Sequence, residues 1–516
     1  MERRTFLKIL SSAGIVSLVS PTFAMEVCKN KVSKSSSALL ESAFRNPPFS
    51  SGVYTWWHWM NGNITKDGIT RDLEAMKANG IAGYQLFEAG SGIPIGPVES
   101  LSDEWVDLIL HTLKESERLG LEFAMHNCPG WSSSGGPWIT PDKAMQIITW
   151  SETKITGGKQ VRIQLPTPKH MFDYYIDTYC LAIPANMKVI PRLSILELSN
   201  RLDKDGVLTW DVPTGEWLIM RFGQTAKDQK NKSAPSKSTG LDCDKFSTEA
   251  LDYHLNCMFK RLMPAMEKIA KHSKIGLLID SYETGDQDWT SDMPAYFEQS
   301  HGYELYPFLP VLANKIVESE ESTKRFLFDF RRVRADMFAE RYYGHFQKRC
   351  KEKGIITYTE PYGGNMMEEL QVAQQLDINM GEFWCGQTVL WANYKYNRTV
   401  KQVASIAHTL GGKVVGAEAF TSEPDADKWL QYPYALKSLG DYMFTRGLSR
   451  IYFHRFAHQP HPTAAPGMTM GAWGLHFDRT NTWWKPGKAW IEYLNRCQYI
   501  FQSSTFYGDI LYHNGD

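Results

Sequence analysis

Ile275-Gly276-Leu277-Leu278-Ile279-Asp280-Ser281-Tyr282-Glu283 is the stretch on which the fold turns. Five apolar residues form a strand buried on both faces, and the chain leaves it through two carboxyl groups and a tyrosine. The same form recurs in both directions. Strands are predicted at 53–58, 82–87, 121–126, 275–280, 355–359, 378–383, 414–418 and 450–454, with helical periodicity between them. Ile69, Leu73 and Met76 share one face of a helix that stops at Gly80. Ser102-Asp103-Glu104 opens another that runs through Leu108, Leu113 and Leu119 to Gly120. Others start near Ser247, with Leu251 and Leu255 on the apolar face, and span Lys488 to Gln502. This alternation predicts an α/β fold, a (β/α)8 TIM barrel.

Two connections are too long for a simple strand–helix unit. Residues 145–240 contain alternating runs such as Gln160-Val161-Arg162-Ile163-Gln164-Leu165 and Trp217-Leu218-Ile219-Met220-Arg221-Phe222. They predict a β-rich insertion after the third βα unit, with the barrel built from 45–144 and 241–516. Residues 284–354 read as helical, with Arg325 to Lys353 one long helix, and the Lys/Ser-rich run Lys227 to Thr239 reads as an exposed loop.

Fifty-six basic against 57 acidic side chains leave a net charge of -1, which removes any electrostatic case for nucleic acid or an anionic membrane as partner. The aromatic load is high, with 17 Trp, 24 Tyr and 25 Phe. A large aromatic core and the stacking of sugars on Trp and Tyr both account for it. At the N-terminus, Arg3-Arg4-Thr5-Phe6-Leu7-Lys8 precedes an apolar stretch from Ile9 to Phe23 and a small residue, Ala24. This pattern fits a cleaved secretory peptide over 1–24 with a twin-arginine start. The stretch is too short and Ser-rich to span a membrane, so the mature protein is expected in the periplasm or outside the cell. The 8 cysteines lack C-x-x-C pairs and zinc-ligand spacing, against a zinc site and a disulfide scaffold. A Cys243–Cys257 disulfide stays open.

The functional signal lies where the strands end, because a barrel brings its C-terminal strand ends together on one face. Strand one ends in Trp57-His58-Trp59 and Asn61, strand two at Glu88, strand three at His126-Asn127 and strand four at Asp280-Ser281-Tyr282-Glu283. Strands five, six and seven end at Glu360, Glu382 and Glu418, and strand eight carries His454 and His458. Neither a Ser nucleophile elbow nor a phosphate loop is present, so the chemistry expected is that of carboxyl groups. Glycoside hydrolysis needs a proton donor and a second carboxylate across the scissile bond. Glu283 and Glu418, on roughly opposite sides of the ring, suit those parts. Trp57, Trp59, Trp131, Trp384 and Trp391 supply aromatic faces, and Gly130-Trp131-Ser132-Ser133-Ser134-Gly135-Gly136 is a flexible, hydroxyl-rich loop that could close over a sugar. His58 and His126 could donate to hydroxyls. Oxygen ligands dominate, which suits Ca2+ rather than zinc.

Several strings resemble glycoside hydrolase family 106, the α-L-rhamnosidases. They are Thr55-Trp56-Trp57-His58-Trp59-Met60-Asn61-Gly62-Asn63, His126-Asn127-Cys128-Pro129-Gly130-Trp131 with the loop through Trp138, Asp280-Ser281-Tyr282-Glu283, Gly381-Glu382-Phe383-Trp384 and Ala417-Glu418-Ala419-Phe420-Thr421-Ser422. The resemblance implies an inverting, Ca2+-dependent hydrolase that removes terminal α-L-rhamnose from plant or microbial oligosaccharides and polysaccharides. It also implies Glu283 as general acid, Glu418 as general base, and Glu382 as a second base candidate or a calcium-side residue. Glu88 and Asp280 are the expected metal-side ligands. Trp57, His58, Asn61, His126, Asn127, Trp131, Tyr282, Glu360, Trp384 and His454 are the expected substrate contacts. The family usually continues into C-terminal β-domains, whereas this sequence stops at Asn514-Gly515-Asp516, so those domains are expected to be absent. Another exo-glycosidase on the same barrel and a truncated, catalytically silent carbohydrate-binding protein are the alternatives.

Overall fold

The computed structural model describes residues 34–90, 92–132, 134–272, 274–385, 389–422, 429–470 and 474–512, without the side chains of 34–37 and 389–397. The expected export segment and the side chain of Trp391 lie outside the described residues. Contacts divide the chain at Pro48, and the first unit contains the helix Lys34–Arg45 with an Arg45–Glu41 ion pair at 2.8 Å.

The second unit is built on eight parallel strands: β1 Val53–Met60, β2 Ile81–Ala89, β3 Glu122–His126, β4 Ile275–Ile279, β5 Ile356–Thr359, β6 Ile378–Cys385, β7 Val415–Ser422 and β8 Arg450–Ala457. They close in sequence order, β8 pairing with β1 through Tyr54↔Tyr452 and Thr55↔Phe453. The helices form where the periodicity predicts. Helix α1, Lys66–Asn79, is capped by Thr65, whose hydroxyl accepts from the Gly68 N–H, and stops at Gly80 in the left-handed conformation at φ 85°. Helix α2, Asp103–Leu119, has Ser102 as its cap and stops at Gly120. Helix α3, Thr248–Phe259, is capped by Ser247, and α4, Lys488–Ser503, is the last.

Side chains alternate along each strand. One parity faces the helices, as Val53, Leu86, Phe123, Leu277, Ala417 and Ile451 do within the main core. The other fills the barrel, where Tyr54, Trp56, Phe87, Ala124, Leu278, Tyr358, Met380 and Tyr452 form a separate cluster. Gly276 makes room for it: a Cβ there would stand 2.6 Å from the Tyr358 ring and 2.7 Å from Ala124. The barrel is a packed core with a polar upper end.

The insertion leaves β3 and returns into α3, so it interrupts the third strand–helix connection rather than following the unit. It contains a four-stranded antiparallel sheet, ordered Gln146–Thr156, Glu216–Ala226, Ile176–Pro184, Leu196–Glu197, and the pair Lys159–Gln164 with Val207–Val212. The long helix expected over Arg325 to Lys353 is three segments: Glu320–Met337, a π-helical stretch Phe338–Gly344, and His345–Lys351. The wider turn brings Phe338, Tyr342 and Tyr343 all into the core, with Phe338 and Tyr342 stacked at 5.8 Å. Cys243 and Cys257 are free thiols, which resolves the open disulfide. Among the described residues no helix is long and apolar enough to cross a membrane.

Asp72 of α1 ties the first turn of the barrel to the last. Its fully buried carboxylate accepts from Arg479 Nε and His458 Nδ1 at 2.8 Å each, from the Gln459 N–H at 3.0 Å and from Trp57 Nε1 at 3.3 Å. His458, read from the sequence as a strand-end functional residue, is thus part of the closure. Replacement Asp72→Ala strands several buried donors. We expect a loss of about 3 kcal/mol in unfolding free energy, measured by urea denaturation; a loss below about 1 kcal/mol would refute the closure role.

Candidate active site

Near the C-terminal end of each strand, or one residue past it, a barrel-facing position contributes one side chain: His58, Phe87, His126, Asp280, Glu360, Glu382, Glu418 and His454 in turn around β1 to β8. Contacts run round the circle. His58 and Phe87 lie 4.6 Å apart by ring centroid, Phe87 and His126 5.5 Å, and His126 Nε2 is 4.0 Å from Asp280 Oδ2. The Glu360 N–H donates to the Ile279 carbonyl at 3.3 Å, which sets Glu360 beside Asp280. Glu382 and Glu418 stand opposite each other in the strand register. His454 Nδ1 lies 3.8 Å from Glu418 Oε1, and its ring is 5.4 Å from His58. Four carboxyl groups and three imidazoles therefore line a single ring.

Burial sets their protonation. It is the largest cause for Asp280, Glu360, Glu418 and the three histidines, and for those carboxyls like charges add to it. Asp280 is raised to about 8 by burial, then by Glu283 and Glu382. Glu360 is raised well above the usual range by burial, Asp280, Glu418 and Glu382. Glu418 is raised by burial, Glu382, Asp280 and Glu283, against the hydrogen bond from Thr421 Oγ1. The imidazoles move the other way: His126 and His454 are lowered to about 3, and His58 well below its ordinary value. Neutral imidazoles leave the acidic side without a compensating charge, so protons must be shared among the carboxyls.

Glu283 stands at the rim, with 41% of its side chain exposed. Its Oε2 accepts from Trp131 Nε1 at 3.0 Å and from Lys232 Nζ at 2.7 Å. Trp131 in turn stacks on Phe87, with centroids 6.0 Å apart. Through Trp131 and Phe87 the rim at Glu283 adjoins the ring, and its charge raises both Asp280 and Glu418. Trp384 Nε1 donates to Glu382, and Tyr362 donates to Glu360 Oε2 at 2.6 Å.

The structure does not bring every expected residue here. Trp57 faces the helices, fully buried against Trp59, Tyr84 and His458. Tyr282 also turns outward, its ring edge-on to Phe338 and its hydroxyl donating to the Gly285 carbonyl at 2.9 Å. Asn127 is buried, its Nδ2 donating to the Leu278 carbonyl and its Oδ1 3.1 Å from His254 Nε2. Asn61 spends its amide on the Ile93 carbonyl at 2.6 Å. Glu88 lies on the outward parity of β2, where Ser100 Oγ donates to it at 2.7 Å and burial raises it to about 7. It therefore does not pair with Asp280 as a metal ligand. Ser132 and Ser134 are buried and donate to Asp242, which also binds the buried Lys245, so the 130–136 loop is pinned rather than free to close.

Four contributors were not expected, the first being Tyr362, which lies just past β5 and donates to Glu360. Phe87 completes the ring, and parity along β2 would have found it. Thr421, which caps Glu418, lies within a quoted motif. Lys232 falls in the stretch read as an exposed loop, yet its carbonyl accepts from the Trp131 N–H at 3.1 Å and the neighbouring Ser233 carbonyl from Gly90 at 2.7 Å. Nothing in a Lys/Ser-rich run marks one lysine for a carboxylate.

The donor set suits a hard cation in its chemistry: carboxylate oxygens, with Glu360 Oε1 buried and unpartnered. Among the described residues, however, no three His, Cys, Asp or Glu side chains converge closely enough to hold an ion as they stand.

Known proteins match most of the chain. A family model described as alpha-L-rhamnosidase matches residues 45–177 and 169–516. A protein of Formosa agariphila named "Putative beta-glucuronidase" is 40% identical over 508 residues, covering 92% of this chain and 43% of that protein. The solved rhamnosidase of Novosphingobium sp. PP1Y matches with a TM-score of 0.83 at 24% identity, over 90% of this chain and 60% of that one. The chain thus spans less than two thirds of either relative's length.

The crowded carboxyls make stability depend on pH. An unfolded aspartate releases its proton near pH 4, whereas Asp280 in the fold holds it to about 8. The folded protein binds the extra proton between those values, so this contribution is complete below about pH 4 and is lost as pH rises toward about 8. Glu382→Gln removes a charge that acts on Asp280, Glu360 and Glu418 together. It is expected to flatten the fall in urea-unfolding free energy between about pH 5 and about pH 8. Parallel slopes for parent and variant would rule out mutual repulsion in the ring.

Proposed function

This chain belongs to the alpha-L-rhamnosidase family of glycoside hydrolases, and from that premise we propose that it removes terminal α-L-rhamnose from plant or microbial glycans with inversion. The observation that carries the reading is the ring of four carboxyls beneath a fifth, Glu283, at the rim. Glu283 gives its proton to the glycosidic oxygen as the C–O bond breaks. Glu418 takes a proton from the water whose oxygen bonds the anomeric carbon from the other face. Burial and neighbouring charge make ionised Glu418 a stronger base. Glu382 is the second base candidate, and Trp384 orients it.

Rhamnose suits the surface on offer. Its C6 methyl group finds an apolar wall in Phe87 and Trp131, and its hydroxyls find imidazoles and carboxyls. The name of the Formosa relative raises a glucuronide as a second reading. A uronate would bring a further negative charge to a ring already crowded with carboxyls, which favours the neutral deoxy sugar. We further propose that Asp280 and Glu360 hold Ca2+, which when bound would neutralise part of the ring and offer a site for sugar hydroxyls. The Arg3-Arg4 export pattern supports action in the periplasm or outside the cell.

Glu283→Gln and Glu418→Gln should each lower kcat on an aryl α-L-rhamnoside by about a thousandfold, with melting unchanged within a few degrees. Parental hydrolysis by either variant would end its assigned role, and a product anomer retained by NMR would end inversion. EDTA should suppress turnover and Ca2+ restore it. Turnover of an aryl β-D-glucuronide alone would select the second substrate, and sugar binding without turnover would make the chain a binding protein.

A further inference from the structure

The segment that follows β7, on the same end of the barrel as the carboxylate ring, carries a tryptophan that packing does not explain. Trp429 is 49% exposed and has a backbone φ of 59°, a left-handed conformation that bulky side chains rarely accept. Its indole stacks on the imidazole of His476, with centroids 3.8 Å apart and planes at 21°. His476 is itself buried, its Nε2 lying 2.9 Å from Thr469 Oγ1, and Arg455 Nη2 donates to the same hydroxyl at 2.9 Å. A tryptophan serving the core would be covered. This one is braced from beneath, held at a cost in backbone strain, and left half in solvent.

Its support belongs to the wall of the ring. The Gly474 N–H donates to the Ser422 carbonyl at the end of β7, and the Leu475 N–H to the His454 carbonyl, each at 3.0 Å. A Cβ on Gly474 would stand 2.5 Å from His454 Nδ1. His476, which carries the indole, is two residues further on. The braced indole therefore lies on the side of the ring formed by Glu418 and His454.

We propose that Trp429, backed by His476, is a binding platform for a second sugar ring, the one to which the cleaved residue is attached. An indole face matches the C–H face of a pyranose, and a rigid support lowers the entropy lost on binding. The assignment rests on reading the carboxylate ring as the hydrolytic site. Its consequence is a preference for oligosaccharides over glycosides whose leaving group is too small to reach the platform.

Steady-state kinetics on two substrates test it: α-L-rhamnosyl fluoride, whose leaving group is too small to reach the platform, and a rhamnose-terminated oligosaccharide. Trp429→Ala is expected to raise KM for the oligosaccharide about tenfold, leave its kcat within about twofold, and leave hydrolysis of the fluoride untouched. Trp429→Tyr, which keeps an aromatic face, should recover most of the loss. An unchanged KM for the oligosaccharide in Trp429→Ala would overturn the platform. If Trp429→Ala does not fold, Trp429→Gly, suited to the left-handed backbone, replaces it. If the parent hydrolyses neither substrate, the hydrolytic reading fails separately. Calorimetry with the oligosaccharide then decides the platform: weaker binding to the variant supports it, and equal binding overturns it.

Discussion

Closure of eight parallel strands is the constraint on which the rest depends. In a closed barrel every strand presents alternate side chains to the axis, and all eight C-terminal ends arrive at one level. Whatever residue occupies the last inward position of each strand is forced into the company of seven others. Here that company is three histidines, four carboxylic acids and Phe87. Asp72, which joins α1 to the segment after β8, helps to secure the closure and so indirectly the ring.

The electrostatic character of the site follows from that geometry. Below the ring the barrel is filled by Tyr54, Trp56, Leu278, Tyr358 and Tyr452, a low-dielectric floor that keeps water from reaching the carboxyls from beneath. Burial raises Asp280, Glu360 and Glu418 and lowers the three histidines, so the two classes of group do not neutralise each other. A ring that shares its protons suits the proton transfer and the cation proposed above. Glu283 stands at the rim, in contact with solvent and with Lys232.

The barrel was legible in the sequence because apolar runs and helical periodicity are local, and each of the eight strands left its own mark. The membership of the site was less so, and the errors share a cause. Reading the polar residue nearest the end of a run identifies the end of a strand, but parity decides which side chain turns inward. Trp57 and His58 are neighbours, yet only His58 enters the barrel; Glu88 and Phe87 divide the same way. Asp280 turns inward while Tyr282, after the strand has ended, packs on Phe338. Lys232 and the π-helical turn at Phe338–Gly344 depend on contacts distant in sequence, which no local pattern records.

What the barrel fixes and what the loops adjust can be separated physically. The ring side chains rise from strands hydrogen-bonded on both sides, so their spacing is set by the sheet. The rim is assembled from other parts of the chain: Trp131 after β3, Lys232 within the insertion, and Trp429 after β7. The rim parts are nevertheless ordered by polar contacts of their own, Trp131 to Lys232 through the backbone and Asp242 to the serines of the 130–136 loop. Under the function proposed above, chemistry placed on strands and selectivity placed on braced loops would let the leaving side of a substrate change without disturbing the reacting carboxyls.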